Sequence, residues 1–194
     1  MSSASLSHID SSQTSCQLAQ ALASATWLPV ADFIDQYAVS QATAHWLVDI
    51  ESLTERLQMH TDDFSVRVLY QGNSLLVQSA SGTVPEEATE QMRNVELKHG
   101  AKPWVFASSL LPAALCVNEF SGLGTKPLGK ILFNDARFSR QPFELVYLSK
   151  DHLFAQHYQS PHDLVGRRSA FHFLTHTLWV TEIFLPGCPA YHKV

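Results

Sequence analysis

A chain of 194 residues, 45% hydrophobic and 16% charged, has ordinary globular composition and enough length for one sizeable core, so one domain is the default. The net charge of -5 argues against a nucleic-acid or anionic-membrane surface as the main partner, since either favours a concentrated Lys/Arg patch; a small-molecule partner stays open. Cys16, Cys116 and Cys188 are widely spaced without a CxxC pair, which fits neither a disulfide framework nor a zinc site and points to a reducing cytoplasm; neither a secretory signal nor a run near the ~18 apolar residues of a membrane span occurs.

Residues 1–25 are rich in Ser, Thr, Gln and Ala and read as a mobile leader, turning helical near Cys16 to Ala25. From Ser40, "SQATAHWLVDIESLTERLQMH" places Trp46, Leu47, Ile50, Leu53 and Leu57 at helical spacing, so part of it is expected to be an amphipathic helix covering a sheet. Hairpins follow. "FSVRVLYQGNSLLVQSA" has two β-rich runs about a turn at Gln71 to Ser74, and "MRNVELKHGAKPWVFASSLLP" repeats the design about His99 to Lys102. "GLGTKPLGKILF" reads as a loop entering a short helix, "PFELVYLS" as a strand, and "SKDHLFAQHYQSPHDLVGRR" as irregular or partly helical. "SAFHFLTHTLWVTEIFLP" closes the series as a hairpin about Thr175 to Thr177. Strands joined by tight turns, with helices gathered before and between them, indicate an α+β domain: a single antiparallel sheet of about six strands with helices packed on it.

One strand carries an anomaly. In "WVTEIFLP", Glu182 shares its face with Val180 and Phe184, and an ionised carboxylate taken out of water without partners costs several kcal/mol or more. The best candidate partner is Arg93 in "QMRNVELK", which shares the greasier side of its own strand with Val95 and Leu97. Two such charges can form a structural ion pair, or stand at two ends of a polar ligand pocket in which the arginine offers its rigid fork to a carboxylate.

"VTEIFLPGCPAY" resembles the C-terminal signature of chorismate pyruvate-lyases: a strand with Thr-Glu before an apolar stretch, Leu-Pro and a closing Pro-x-Tyr. "SLTERL", "MRNVELKHGAKPWVFA", "LGTKPLGKILF" and "GRRSAF" stand in the order that family has them, so the resemblance spans roughly residues 45–191. It implies a chorismate lyase-like catalytic domain over residues 26–194. The implied protein is a cytoplasmic, monomeric, cofactor-free lyase that turns chorismate into 4-hydroxybenzoate and pyruvate at the first step of ubiquinone synthesis. By the same resemblance Arg93 holds the ring carboxylate, Glu182 lies at the hydroxyl end, and the backbone amides of Leu53 and Leu128 line the ligand site. Glu182, in apolar surroundings, could donate a proton to the departing ether oxygen or anchor the ring hydroxyl. Two positions depart from the family pattern. Asn94 replaces a frequent glutamate, with a change of packing or surface expected, and Ser108 replaces a frequent arginine, removing a cation expected near the ligand.

Other constellations read more plainly. His152, His157 and His162 recur every five residues and His172 and His176 are four apart across a turn, which is not ligand spacing backed by a carboxylate or cysteine. "GLGTKPLGK" lacks the full phosphate-loop pattern, and is read as a turn into a helix whose amides could face the ligand. Arg167 and Arg168 either meet the second carboxylate of the dianion or cap a strand, and the reading favours a solvent or structural role. The rival from another class is a non-catalytic effector-sensing module, since some transcription-factor domains share the fold. The first 45 residues are neither basic nor long enough for a complete winged DNA-binding domain.

Overall fold

The structure, a computed structural model, describes residues 11–74, 90–117, 120 and 126–192. Its frame is one antiparallel sheet. In chain order the strands are β1 (Leu28–Pro29), β2 (Phe64–Asn73), β3 (Glu90–His99), β4 (Lys102–Pro112), β5 (Ser139–Arg140), β6 (Glu144–Leu148), β7 (Leu164–Phe173) and β8 (His176–Phe184). They lie side by side in the order β1-β6-β7-β8-β4-β3-β2, with β5 added to β7. The α+β class stands, but the sheet has eight strands among the described residues rather than about six. Two of the eight, β1 and β5, are two residues long, too short for any alternation to show.

The helices are α1 (Ser11–Ala23), α2 (Val30–Gln36), α3 (Gln41–Val48), α4 (Leu53–Gln58), α5 (Ala113–Val117), α6 (Leu128–Asn134) and α7 (Leu153–His157). Period two along the strands divides them between two faces. On one face Val95, Leu97, Val105, Ala107, Val165 and Phe184 pack with Phe33, Trp46, Leu47, Leu53 and Leu57 of α2, α3 and α4. On the other, Phe106, Val146, Leu164 and Ile183 pack with Leu18 and Leu22 of α1 and Phe154 of α7.

The helix expected from Ser40 forms in two pieces, because two serines each restart it. Ser40 Oγ accepts from Thr43 N at 3.1 Å to open α3, and Ser52 Oγ accepts from Glu55 N at 3.4 Å to open α4. Helix α1 begins at Ser11, earlier than the Cys16 expected, and buries Ser15, Cys16, Leu18, Ala19 and Leu22 as one stripe. It is stitched to the sheet by Ser12 Oγ, which donates to Leu69 O at 3.1 Å, and by Asn94 Nδ2, which donates to Ser15 O at 3.1 Å. Residues 11–23 of the expected leader are therefore packed structure, while residues 1–10 lie outside the described residues.

The hairpin about His99 to Lys102 is present, with Gly100 at φ 54° in its turn. The turn expected at Gln71 to Ser74 is not: β2 runs through Gln71, Gly72 and Asn73, which pair with Arg93, Met92 and Gln91. Tyr70 Oη donates to Asn73 O at 2.8 Å across Gly72, where a Cβ would come within 3.0 Å of that hydroxyl, so this glycine admits a neighbouring ring rather than a reversal. The second run of that expected hairpin, from Leu75 on, lies outside the described residues, as do Gly122 to Thr125 of the expected loop before α6. The last hairpin turns at Leu174-Thr175, before the expected centre, and β7 starts at Leu164, inside the stretch expected to be irregular.

Gly166 fixes how closely β7 and β8 approach. A Cβ there would lie 2.3 Å from Ile183 Cδ1 and 2.7 Å from Glu182 O. The isoleucine tip can move; the backbone oxygen cannot without shifting β8. Gly166→Ala is expected to cost about 1–3 kcal/mol of stability. For a chain of this size that lowers the unfolding midpoint by roughly 2–12 °C, measurable by thermal denaturation.

Candidate functional site

The face that carries α4 also carries a cavity, and its position follows from side-chain size. Arg93 on β3 lies opposite Ser109 on β4, which lies opposite Val180 on β8; Val95, Ala107 and Glu182 form the next matching row. Arg93 and Glu182 are thus two strands and two residues apart, about 12 Å between backbones. Between them β4 presents only Ala107 and Ser109. These small side chains leave a floor, walled by Leu53 and Thr54 of α4, Leu128 of α6 and Phe171 of β7. The space, counting its open mouth, is about 530 Å³.

At one end Arg93 is buried, 2% exposed, and one terminal nitrogen donates to Lys126 O at 3.1 Å. Burial draws its pKa down to about 10, so it remains a cation at neutral pH. Its bond to Lys126 O reaches the residue just before Pro127, the N-cap of α6, and so ties β3 to the start of that helix. Leu128 is the first residue of α6 and Leu53 the first of α4. First-turn amides have no acceptor within their own helix. All four expected site residues, Arg93, Glu182, Leu53 and Leu128, line this one cavity.

At the other end the structure corrects the sequence reading. The side chain bonded to Glu182 is Arg167, not Arg93: Arg167 Nε donates to Glu182 Oε2 at 2.7 Å. The two residues are direct cross-strand partners of β7 and β8. Arg167 does not face solvent. It is 1% exposed, its Nη1 donates to Trp46 O at 2.9 Å and Asp49 O at 2.7 Å, and its guanidinium lies 4.7 Å from the centre of Phe143. Glu182 therefore stands against a fixed guanidinium rather than in purely apolar surroundings. Arg168, the next residue, turns to the opposite face, bonds Glu144 at 2.7 Å and lies over Trp27 and Trp179, a structural role as expected.

Arg140 also lines the cavity and was not singled out from sequence; it sits on the two-residue β5, where no alternation marks it. Ser109 and Ala107 were missed as well, though two small residues alternating in a buried strand are a readable sign of open space beside it.

The two departures from the family pattern lie away from this cavity. Asn94 and Ser108 are cross-strand partners, and with Thr181 they belong to the α1 face. Asn94 is fully buried and holds α1, so its effect is packing, not surface. Ser108 lines a separate cleft with Trp27, Arg168 and Trp179, not the cavity of Arg93, so the expectation that it removes a cation beside the ligand is overturned. Four of these histidines have local partners: His152 accepts from Phe154 N at the start of α7, His157 packs on Tyr158, His162 bonds Asp163 O and His172 meets Thr177. Among the described residues no three His, Cys, Asp or Glu side chains converge as a metal site would require, and no helix is long and apolar enough to cross a membrane.

Comparison with known proteins gives a consistent picture. A family model described as chorismate lyase matches residues 21–194. A protein of Pseudoalteromonas atlantica named "Probable chorismate pyruvate-lyase" is 40% identical over 168 residues, covering 81% of this chain and 88% of that protein. Proteins with the same name are 35% identical over 156 residues in a Shewanella species, covering 76% of this chain and 81% of that protein, and 38% identical over 155 residues in Pseudomonas fluorescens, covering 75% and 80%.

Proposed function

This chain belongs to the chorismate lyase family, and from that premise we propose that it converts chorismate to 4-hydroxybenzoate and pyruvate. The observation that carries the reading is the pairing of Arg93 and Glu182 at opposite ends of one cavity floored by Ala107 and Ser109.

Chorismate has one carboxylate on a non-aromatic ring and a second on an enolpyruvyl ether beside the ring hydroxyl. In the reaction the ring carbon–oxygen bond breaks, and its electron pair leaves with the oxygen as the enolate of pyruvate. The hydrogen on the hydroxyl-bearing carbon departs as a proton, its bonding pair completes the aromatic ring, and the proton ends on the methylene carbon. Aromatisation drives the step, so placement and electrostatics are enough and no cofactor enters the chemistry.

Arg93 takes the ring carboxylate through its guanidinium fork, helped by the first-turn amides of α4 at Leu53 and α6 at Leu128. Glu182 accepts the ring hydroxyl. Arg167 holds Oε2 of that carboxylate, which fixes it as an acceptor and favours the anchoring role over proton donation. The ring then lies across Ala107 and Ser109. We place this reaction at the first step of ubiquinone synthesis, carried out by a cytoplasmic monomer.

Mixing the purified protein with chorismate and following 4-hydroxybenzoate absorbance and pyruvate release tests the reading. Stoichiometric appearance of both products is expected; binding without turnover would make the chain a sensor and overturn it. Glu182→Gln, which still accepts through its carbonyl, is expected to lose about 10- to 100-fold in kcat/KM, the value of one charge-assisted hydrogen bond. A loss well beyond about 1,000-fold would reassign Glu182 as the proton donor.

A further inference from the structure

The reaction proposed above accounts for the ring carboxylate and the hydroxyl of chorismate but leaves its second carboxylate without a partner. The cavity carries another guanidinium at the end where that group must lie. Arg140 reaches in from β5; its guanidinium lies 4.7 Å from the centre of Phe143 and 4.9 Å from that of Phe171, and Nη1 donates to Ile50 O at 3.0 Å. Burial draws its pKa down to about 10, with the field of Glu182 opposing that shift and the field of Arg167 adding to it. Arg140 is therefore a cation at neutral pH, and because its guanidinium and that of Arg167, the partner of Glu182, each lie 4.7 Å from the Phe143 ring, it stands at the Glu182 end of the cavity.

Arg167 is spent. Its Nε is on Glu182 and its Nη1 on two backbone carbonyls, and it is not among the residues that line the cavity. The enolpyruvyl ether sits on the ring carbon next to the one bearing the hydroxyl. Once Arg93 and Glu182 have set the ring, the ether and its carboxylate must project at the Glu182 end. There Arg140 lies against Phe143 and Phe171 in a partly desolvated setting, where a charge-assisted pair is strong.

We infer that Arg140 is the binding residue for the enolpyruvyl carboxylate of the substrate, resting on the lyase reading above. It gives the site a way to separate substrate from product. Chorismate engages both Arg93 and Arg140, whereas 4-hydroxybenzoate, having lost the side chain, engages only Arg93. The charge that leaves the ring with the ether oxygen also moves toward the Arg140 side, so the same guanidinium favours bond breaking.

Arg140→Met keeps a long stem on Phe143 and Phe171 and removes the charge. The expected result is a loss of about 100-fold in kcat/KM for chorismate, with the dissociation constant of 4-hydroxybenzoate, measured by calorimetry, unchanged within about twofold. Arg140→Lys, which keeps charge but not the fork, is expected to fall between wild type and the methionine variant, and it serves alone if the methionine variant does not fold. Equal losses on both ligands would assign Arg140 to holding the Ile50 segment and overturn the inference, as would no loss on chorismate. If wild-type protein shows no turnover, the lyase reading fails by itself. Calorimetry of chorismate and 4-hydroxybenzoate with wild type and Arg140→Met then still decides: weakened chorismate binding alone upholds the role of Arg140, and any other pattern sinks it.

Discussion

Replacing Arg93 by methionine is expected to lower kcat/KM for chorismate by about 100- to 1,000-fold, the cost of removing the cation from a desolvated ion pair. The larger part should appear as a raised KM, because the ring carboxylate is bound before and during bond breaking alike. The fold should survive. The substituted methionine side chain would extend over Val95 and Leu97, and the bond it gives up, to Lys126 O, is worth about 1 kcal/mol net. Pyruvate release against chorismate concentration gives the kinetic half of the result and a thermal melt the structural half. A change of less than about tenfold with an unaltered melt would remove Arg93 from substrate binding.

Arg167→Met is expected to act in the opposite order, on stability first. It strips Glu182 of its guanidinium and leaves Trp46 O and Asp49 O without their donor. Breaking one side of a buried pair costs about 3–5 kcal/mol. At roughly 2–4 °C per kcal/mol for a chain of this size, the midpoint should fall by about 6–20 °C. On the reading proposed above turnover falls with it, since Glu182 would no longer be fixed for the ring hydroxyl. The double variant Arg167→Met with Glu182→Leu removes both charges together and should recover much of the midpoint while staying inactive. A single variant melting within about 2 °C of wild type would show that this pair does not hold the site.

Alternation and turn chemistry were enough to find most of the long strands, and to put Arg93 and Glu182 on apolar faces. The partner of Glu182 was hidden by a small error in one turn. Counting outward from Leu174-Thr175 pairs Phe173 with His176 and, six steps on, Arg167 with Glu182. A turn centred on His176 sets Ala170 opposite Glu182 instead and takes Arg167 out of register with it. The true turn has no Gly or Asn to announce it; Leu174 itself takes φ 52°, a conformation leucine seldom adopts. Arg140 was hidden for a different reason, since a two-residue strand has no period to read. Gln71-Gly72-Asn73 misled because its composition suits a turn, while pairing with β3 and the Tyr70 ring keep it extended. The expectation of a missing cation at Ser108 rests on the family pattern alone, whereas alternation along β4 sets Ser108 on the face opposite Ala107 and Ser109.

The strand that carries Glu182 comes last in chain order among the described strands, yet it lies in the middle of the sheet, between β7 and β4. During synthesis β2, β3 and β4 can associate early, and β6 and β7 later, but the two groups have no join until β8 has left the ribosome. Until then β4 and β7 each present an open hydrogen-bonding edge, the kind of surface on which chains aggregate. The cavity takes one wall from β3 and β4 and the other from β7 and β8, so no fragment that stops short of β8 contains it. The cavity and the closure of the sheet arrive in the same event, when the central strand slots in after its neighbours on both sides.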